Sequence, residues 1–452
     1  MPRELNDLQQ QLSQIVGGEH LIAGSTARMY AVDGVTPRVV VHPGTQEAVE
    51  AVVAVCGAAG AALIPWGGGT AMGLGNPPAR VEVVVCLGRL TRVVEFDAAN
   101  LVVSAEAGVR LGDLQRVLAE KGQFLPLDAE RADRQTLGGM ISTNASGPSR
   151  LLYGTARDLV LGMRVVQPNG ERIRCGGKVI KNVSGYDMNK VFIGSLGTLG
   201  IITEVTFKLL PAPATRATVV GVLPDPAHAG AAVKRTLESF LLPEAMELLD
   251  SQALRAIGSA LGLENAAGYG LAVSLAGSPE TVERQVRDFT QLLTEGKAVR
   301  TTTLRAAASP AAWEAIRDVL DHALDPGGER VVAKVAVPIS RATTFVTSAE
   351  NLGRRHQWRG AVAAHAGSGI VRAGYLIGAN TPPELVRDEL EALRREAEAA
   401  EGSLVVEAAP PAVKRHLDAW GKPGEAFPVM QRLKMEFDPR GFMNPGRFLG
   451  GI

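Results

Sequence analysis

The chain has 452 residues, long for a single hydrophobic core, so two or three domains are expected. Hydrophobic residues make up 46% and charged residues 21%, with 47 basic and 47 acidic side chains, a balance without the electrostatic footprint of a nucleic-acid binder. Cys56, Cys86 and Cys175 stand far apart, form no C-x-x-C pair, and supply neither a disulfide framework nor a zinc or iron–sulfur site; they fit a reducing compartment.

The opening stretch, MPRELNDLQQQLSQIVGG, is polar and lacks the uninterrupted apolar core of a secretion signal. RVVVH (38–42) reads as a short strand, and Thr45 opens a helix with Val49, Val52, Val53 and Cys56 on one face. Residues 51–79 carry no charge, but Pro65 and the glycines from Gly57 to Gly75 exclude a membrane span. AALIP (61–65) is a strand running into a glycine loop, and VEVVVCLG (81–88) is another strand. Residues 92–108 suggest a hairpin turning at Asp97–Asn100. A helix follows in 109–122, with Leu111, Leu114, Val117 and Leu118 on one face and Gly122 closing it.

A second lobe begins at 136, with a hairpin in 159–175 that turns at Pro-Asn-Gly and a long β run ending at Pro211 and Pro213. Beyond that boundary, strand-like runs at 218–223, 270–275, 332–337, 360–364 and 403–406 alternate with helical patterns at 227–240, 279–294, 310–323, 341–354 and 383–400. The alternation suggests one sheet covered on one face by helices. No tandem repeat of fixed period is visible in the sequence.

The segment IPWGGGTAMGLGNPP (64–78) has five glycines and no charge. It lacks the Gly-Lys-Ser/Thr of a P-loop, and the prolines after it deny the helix that a Rossmann fingerprint needs. Two readings remain: a nest of backbone N–H groups for a pyrophosphate, or a plain glycine-rich connection. TLGGMISTNASGPSRLLYG (136–154) and GSLGTLGIIT (194–203) repeat the pattern, each about sixty residues after the last, which favours the nest.

Together these segments resemble the FAD-linked oxidases of the vanillyl-alcohol oxidase type, with the PCMH-type FAD-binding domain. YAVDG…PRVVVHPGTQEAVEAVV, PWGGGTAMGLG, LGGMISTNASGPSRLLYGTARD, GGKVIKNVSGYDMNKVFIGSLGTLGIITEVTFKLLP and LKMEFDPRGFMNPGRF carry the likeness over nearly the whole length. Within the family the flavoprotein subunits of bacterial glycolate oxidase are most similar, the C-terminus resembling the smaller E subunit. The resemblance implies an α+β fold. Residues 1–213 would form a two-lobed α/β FAD-binding domain with lobes at about 30–135 and 136–213. An antiparallel-sheet cap covered by helices would occupy 214–425, and 426–452 would dock back on the FAD domain. Gly67, Gly68, Gly69, Thr70 and Gly73 would hold the pyrophosphate. Gly138, Gly139, Ser142, Thr143, Asn144 and Gly147 would line the central stretch of the cofactor, with Arg150 and Tyr153 in the same motif. Gly200, Ile201 and Ile202 would add backbone contacts, and Asn444 would return the C-terminus to the flavin. The alternative for each is a purely structural turn or a docked tail. Trp66, rather than a histidine, precedes the glycines, so noncovalent FAD is expected.

The family's hydroxy-acid oxidising members carry a metal site in a His-Ala/Gly-Gly-Asp-Gly-Asn-x-His stretch plus a later Glu with His. Here AHAGSGIVRA keeps His365, but Ser368 replaces the Asp, Arg372 stands near the second His, and Glu407 has no adjacent histidine. No metal is therefore expected. His365 is a candidate general base, since imidazoles suit removal of an alcohol proton; the alternative is a histidine capping a strand end. Arg372 and Arg317 are candidate receptors for a substrate carboxylate, or ordinary solvated charges. Lys178, Lys181, Tyr186 and Asp187 form a family loop without assigned roles.

The resemblance implies hydride transfer from a 2-hydroxy acid such as glycolate or D-lactate to flavin. A sister flavoprotein and an iron–sulfur subunit would be partners, in the cytoplasm or peripherally at the inner membrane through them. The alternatives are an FAD-holding assembly or electron-transfer subunit, and a free-standing oxidase for another alcohol or hydroxy acid.

Overall fold

The computed structural model describes residues 2–179, 185–325 and 327–452. The chain divides into two compact units, Met1–Ser146 with Thr155–Ala212 and Lys422–Ile452, and Gly147–Gly154 with Pro213–Gly421.

The first unit holds two main sheets. In one, Leu21–Ala23, Val39–Val41, Val83–Cys86 and Leu63–Trp66 lie side by side, the last three parallel. Both faces are buried: Val39, Val41, Leu63, Val83 and Val85 enter one core, and Val40, Ile64 and Val84 enter another. That explains why these strands read as continuous apolar runs rather than alternating ones. Helix Gln46–Ala59 is capped as its sequence suggests, with Thr45 Oγ1 accepting from Ala48 N at 3.1 Å and Gly60 ending it at φ 61°. The polar N-terminal stretch is a helix, Pro2–Val16, whose Leu8, Leu12 and Val16 join the larger core. The sequence reading had no element there.

The other main sheet is antiparallel, in the order Val93–Asp97, Val102–Glu106, Ile201–Lys208, Val160–Val166, Arg172–Gly176. The expected hairpin turn is present, with Asp97 accepting from Asn100 N at 3.1 Å. The sheet draws strands from both sides of the lobe boundary expected at 135/136, because Val102–Glu106 pairs with Val93–Asp97 on one side and with Ile201–Lys208 on the other.

The second unit is built on one antiparallel eight-stranded sheet, ordered Arg300–Arg305, Thr215–Leu223, Tyr269–Gly277, Pro243–Leu249, Arg359–His365, Ile370–Ile377, Glu329–Ala336, Ser403–Ala408. Two βαββαβ halves of the same topology stand side by side. Helices Pro226–Leu237 and Pro279–Glu295 serve the first half, and Ala342–Arg355 and Pro383–Ala399 serve the second. The halves meet where Pro243–Leu249 pairs with Arg359–His365, through Glu247↔His365, Leu248↔Ala364 and Leu249↔Ala363. The four repeated helices pack on one face, over Ala217, Val219, Val273 and Ala373. Contrary to the one-sided cover expected from the sequence, the other face also carries helices. Ser251–Ile257, Ala308–Arg317 and Val319–Ala323 pack there over Val220, Val222, Ala245 and Leu249. Strands Pro243–Leu249, Arg300–Arg305 and Ile370–Ile377 are additions to the expected set.

Candidate functional site

In the first unit, strand Leu63–Trp66 delivers the glycine loop to the wall of a cleft enclosing about 750 Å³, part of it open to solvent. Gly67, Gly68, Gly69, Thr70, Gly138, Gly139, Ser142, Thr143, Gly200, Ile201, Ile202 and Asn444 line it. Trp66, Met72, Leu87 and Leu196 add apolar surface, and Gln135, Thr136 and Arg447 add polar groups that the sequence reading missed. Gly73 and Asn144 belong to the same unit but do not line this cleft. Gly147, Arg150 and Tyr153 belong to the second unit, where the Tyr153 hydroxyl donates to Glu244 Oε1 at 2.5 Å. Glu244 also takes Arg216 Nε at 3.0 Å and Ser274 Oγ at 3.0 Å, so Tyr153 is tied into the network of the eight-stranded sheet.

The bareness of the loop has a local cause. A Cβ at Gly68 would lie 1.9 Å from the carbonyl oxygen of Arg134, and Gly69 has φ 69° against the Trp66 indole. Thr70 Oγ1 donates to Gln135 Oε1 at 2.5 Å, joining the loop to the second glycine segment. That segment is not the open loop expected. It forms a short helix, Leu137–Thr143, with the Thr136 hydroxyl accepting from Gly139 N at 3.4 Å and Asn144 ending it at φ 50°. Ser142 and Thr143 hydroxyls donate to the Gly139 carbonyl, at 3.2 and 2.8 Å, leaving their oxygens as acceptors toward the cleft.

The C-terminal segment completes the wall. Met443 bridges Leu63 in parallel, and Asn444 N donates to the Leu63 carbonyl at 2.8 Å. Lys434 Nζ, on helix Phe427–Phe437, donates to the carbonyls of Thr198 and Met443 and to Asp438, at 2.8, 3.0 and 2.7 Å. Burial lowers its pKa, against the raising effect of Asp438. Asn444 Nδ2 donates to the Leu196 carbonyl at 2.5 Å, while its Oδ1 is buried without a partner among the described residues.

The lining fits FAD. It contains no carboxylate, Arg447 is its one charged side chain among the described residues, and the Asn444 Oδ1 acceptor awaits a ligand donor. Such a surface suits an anionic pyrophosphate joined to a flat apolar ring system.

In the second unit a polar row crosses the sheet face that bears the three shorter helices. His365 Nδ1 and Glu247 Oε2, paired across the seam of the two halves, lie 2.7 Å apart; Glu247 is buried and His365 nearly so. On the strand beside that of His365, Arg372 donates to Glu407 Oε2 through Nε at 2.9 Å and Nη2 at 2.7 Å, and Lys334 Nζ lies 3.7 Å from Glu407 Oε1. Burial pushes the Glu407 carboxyl up, but the charges of Arg372 and Lys334, then the Arg372 hydrogen bond and His365, hold it below the usual carboxylate range. Glu247 and Lys334 carried no sequence signal. Arg317 ends helix Ala308–Arg317, half-buried and without an ion pair among the described residues. Trp313, one turn earlier, donates to Thr218 Oγ1 at 2.8 Å. Among the described residues no cluster of three or more His, Cys, Asp or Glu is arranged to hold a metal. Of the unassigned family loop, Lys178 pairs with Glu95, Tyr186 is fully exposed and Asp187 accepts from Asn189; Lys181 lies outside the described residues.

The FAD binding domain family matches residues 37–176, and the C-terminal domain of FAD linked oxidases matches 212–448, more than half of the chain. The chain belongs to the FAD-linked oxidases. It is 29% identical to glycolate oxidase subunit GlcD of Bacillus subtilis (strain 168), over 98% of this chain and 96% of that one. The subunit matched is thus GlcD, where the C-terminal motif points to the smaller E subunit. It is 30% identical to a probable mitochondrial D-lactate dehydrogenase of Danio rerio, over 91% of this oxidase and 84% of the relative. Its fold is similar to that of p-cresol methylhydroxylase, with a TM-score of 0.77 at 16% identity, covering 99% of this chain and 97% of that one. It is an oxidoreductase of the FAD-linked hydroxy-acid oxidase and dehydrogenase type, with FAD as cofactor.

Proposed function

We propose that this oxidase dehydrogenates a small 2-hydroxy acid, glycolate or D-lactate, as a subunit of a glycolate oxidase-type complex. The observation that carries the reading is the buried His365–Glu247 pair in the C-terminal oxidase domain. FAD, when bound, supplies the acceptor for the hydride that leaves the α-carbon. Gly67, Gly68, Gly69, Thr70 and Asn444 would hold it, with bare amides toward the pyrophosphate.

Glu247 accepts from Nδ1–H of His365 and so leaves Nε2 as the lone-pair nitrogen. That nitrogen takes the hydroxyl proton as the C–H bond breaks, and the buried Glu247 carboxylate stabilises the imidazolium that results. The product is the 2-oxo acid. Arg372 faces the substrate carboxylate, with Lys334 balancing Glu407 when the guanidinium turns toward its new partner. Electrons leave through an iron–sulfur partner, beside a sister flavoprotein.

One observation favours a second reading, an FAD-holding electron-transfer subunit whose sister oxidises the acid: the Arg372 guanidinium already grips Glu407 with two nitrogens. Dye-linked turnover of the purified chain tests the choice, with glycolate, D-lactate, L-lactate and a phenolic alcohol as substrates. The proposal requires turnover of a D- or achiral 2-hydroxy acid; turnover of the phenolic alcohol alone, or of none, rejects it. Co-purification of a partner with a cluster chromophore tests the complex.

A further inference from the structure

Strand Ser403–Ala408 carries one residue more than its neighbour can pair. Ser403 to Val406 run in step opposite Ala336 to Ala333, but Ala408 then sits opposite Val332, and Glu407 between them has no cross-strand partner. This is a β-bulge, which re-aims a side chain. The alternation changes phase across it: Leu404 and Val406 enter the core under the four repeated helices, whereas Ala408 packs against the core on the other face. Glu407 is thereby directed at Arg372, whose Nε and Nη2 both donate to its Oε2.

The pair is reachable, since Arg372 and Glu407 are 19% and 20% exposed where Glu247 is 3% exposed. Lys334 stands opposite Arg372 in the ladder, and its Nζ lies 3.7 Å from Glu407 Oε1, just beyond hydrogen-bond length. A small rotation of the carboxylate closes that gap, so Glu407 has a second cation to move to. Arg372 also stands opposite Ala363, two residues from His365 on the same strand, and diagonal neighbours of this kind lie about 7–8 Å apart. The guanidinium and the imidazole can therefore address the two ends of one small hydroxy acid.

We propose that Glu407 is a built-in competitor: its carboxylate occupies the guanidinium that receives the substrate carboxylate, and an incoming 2-hydroxy acid binds by displacing it onto Lys334. Glu407 thereby sets the affinity for the acid, because only another carboxylate makes up for the charge-assisted bonds that are broken. The inference rests on the reading that Arg372 receives the acid, and the experiment separates the two.

FAD-loaded protein is titrated calorimetrically with pyruvate and with oxalate, which bring a carboxylate but no hydride, and thermal unfolding of each variant is followed alongside. Glu407→Gln keeps the shape of the side chain and removes its charge, and is expected to bind one of these acids about tenfold more tightly than wild type. A merely structural Glu407 would give weaker binding instead. Arg372→Gln should lose the acids. Lys334→Met should weaken binding in the wild-type background and not in Glu407→Gln; any other pattern overturns the displacement onto Lys334. Wild-type or weaker binding by Glu407→Gln, where Arg372→Gln has lost the acids, overturns the competitor and leaves the receptor reading standing. Wild-type affinity in Arg372→Gln, or no binding by wild type and Glu407→Gln alike, overturns the receptor reading and the inference with it. Should Arg372→Gln fail to fold with Glu407 unpaired, Arg372→Gln in the Glu407→Gln background, which removes both members of the pair, takes its place.

Discussion

Gly68→Ala probes the glycine loop at the point where its fit is tightest. The added methyl would lie 1.9 Å from the Arg134 carbonyl oxygen. Carbon–oxygen contacts close at about 3.3 Å, so the backbone must yield by about 1.4 Å, the difference from 1.9 Å. The Arg134 side is anchored: Arg134 N and Gln135 N both donate to the Arg131 carbonyl at 2.8 Å, and Gln135 holds Thr70. The displacement therefore falls on the loop. Overpacking of this kind costs about 1–3 kcal/mol, which is about 5- to 140-fold in FAD affinity if the strain is felt in the bound loop. Gly177→Ala is the control, because nothing lies within 4 Å of a Cβ there. The assay is fluorescence titration of each apoprotein with FAD, alongside its thermal unfolding. If Gly68→Ala binds FAD as tightly as wild type and Gly177→Ala, the loop does not carry the cofactor.

Lys434→Met strips the buried Asp438 of its cation and frees the Thr198 and Met443 carbonyls. Urea unfolding should show a loss of about 3–5 kcal/mol, and a loss below about 1 kcal/mol would refute a role for Lys434 in holding the C-terminal segment. Burial pushes the Asp250 carboxyl up to about 7, well above its unfolded value. A raised folded pKa contributes stability that is full below the unfolded pKa and is lost as pH rises through about 7. Asp250→Asn keeps the cap on Ala253 N and should flatten the fall in Tm between about pH 5 and pH 8; an unchanged slope counts against the assignment. Glu244→Gln weakens its bonds to Tyr153, Arg216 and Ser274, and calorimetry should show about 1.5–3 kcal/mol of destabilisation. A neutral result would mean that the segment 147–154 is held by packing alone.

What the sequence made legible was local. Thr45, the valines of its helix, the Asp97–Asn100 turn and the three glycine segments act within a few residues of themselves, and their types announce their roles. The N-terminal helix was hidden because Leu8, Leu12 and Val16 sit among glutamines and charges, and only burial against Val49 and its neighbours gives them meaning. Strand Pro243–Leu249 was missed because Glu244 and Glu247 interrupt its apolar pattern, yet both are buried there for polar partners on other strands. Glu247 finds His365 across 118 residues of sequence, and Arg447 finds Asp33 across 414. No periodicity or spacing rule links such pairs, because the seam of two half-sheets and the return of the C-terminal segment bring them together.

The central claim is that this chain itself oxidises a hydroxy acid, with His365 as base and Glu247 orienting it. The most direct test is the visible spectrum of the purified, FAD-loaded chain under anaerobic conditions, before and after glycolate or D-lactate. The same spectrum is taken for Glu247→Gln, which keeps the shape of the side chain and removes its charge. The account predicts that one of the acids bleaches the wild-type flavin, and that Glu247→Gln, with FAD content unchanged, bleaches about tenfold or more slowly. Flavin that stays oxidised with both acids, or bleaches equally fast in Glu247→Gln, would contradict it.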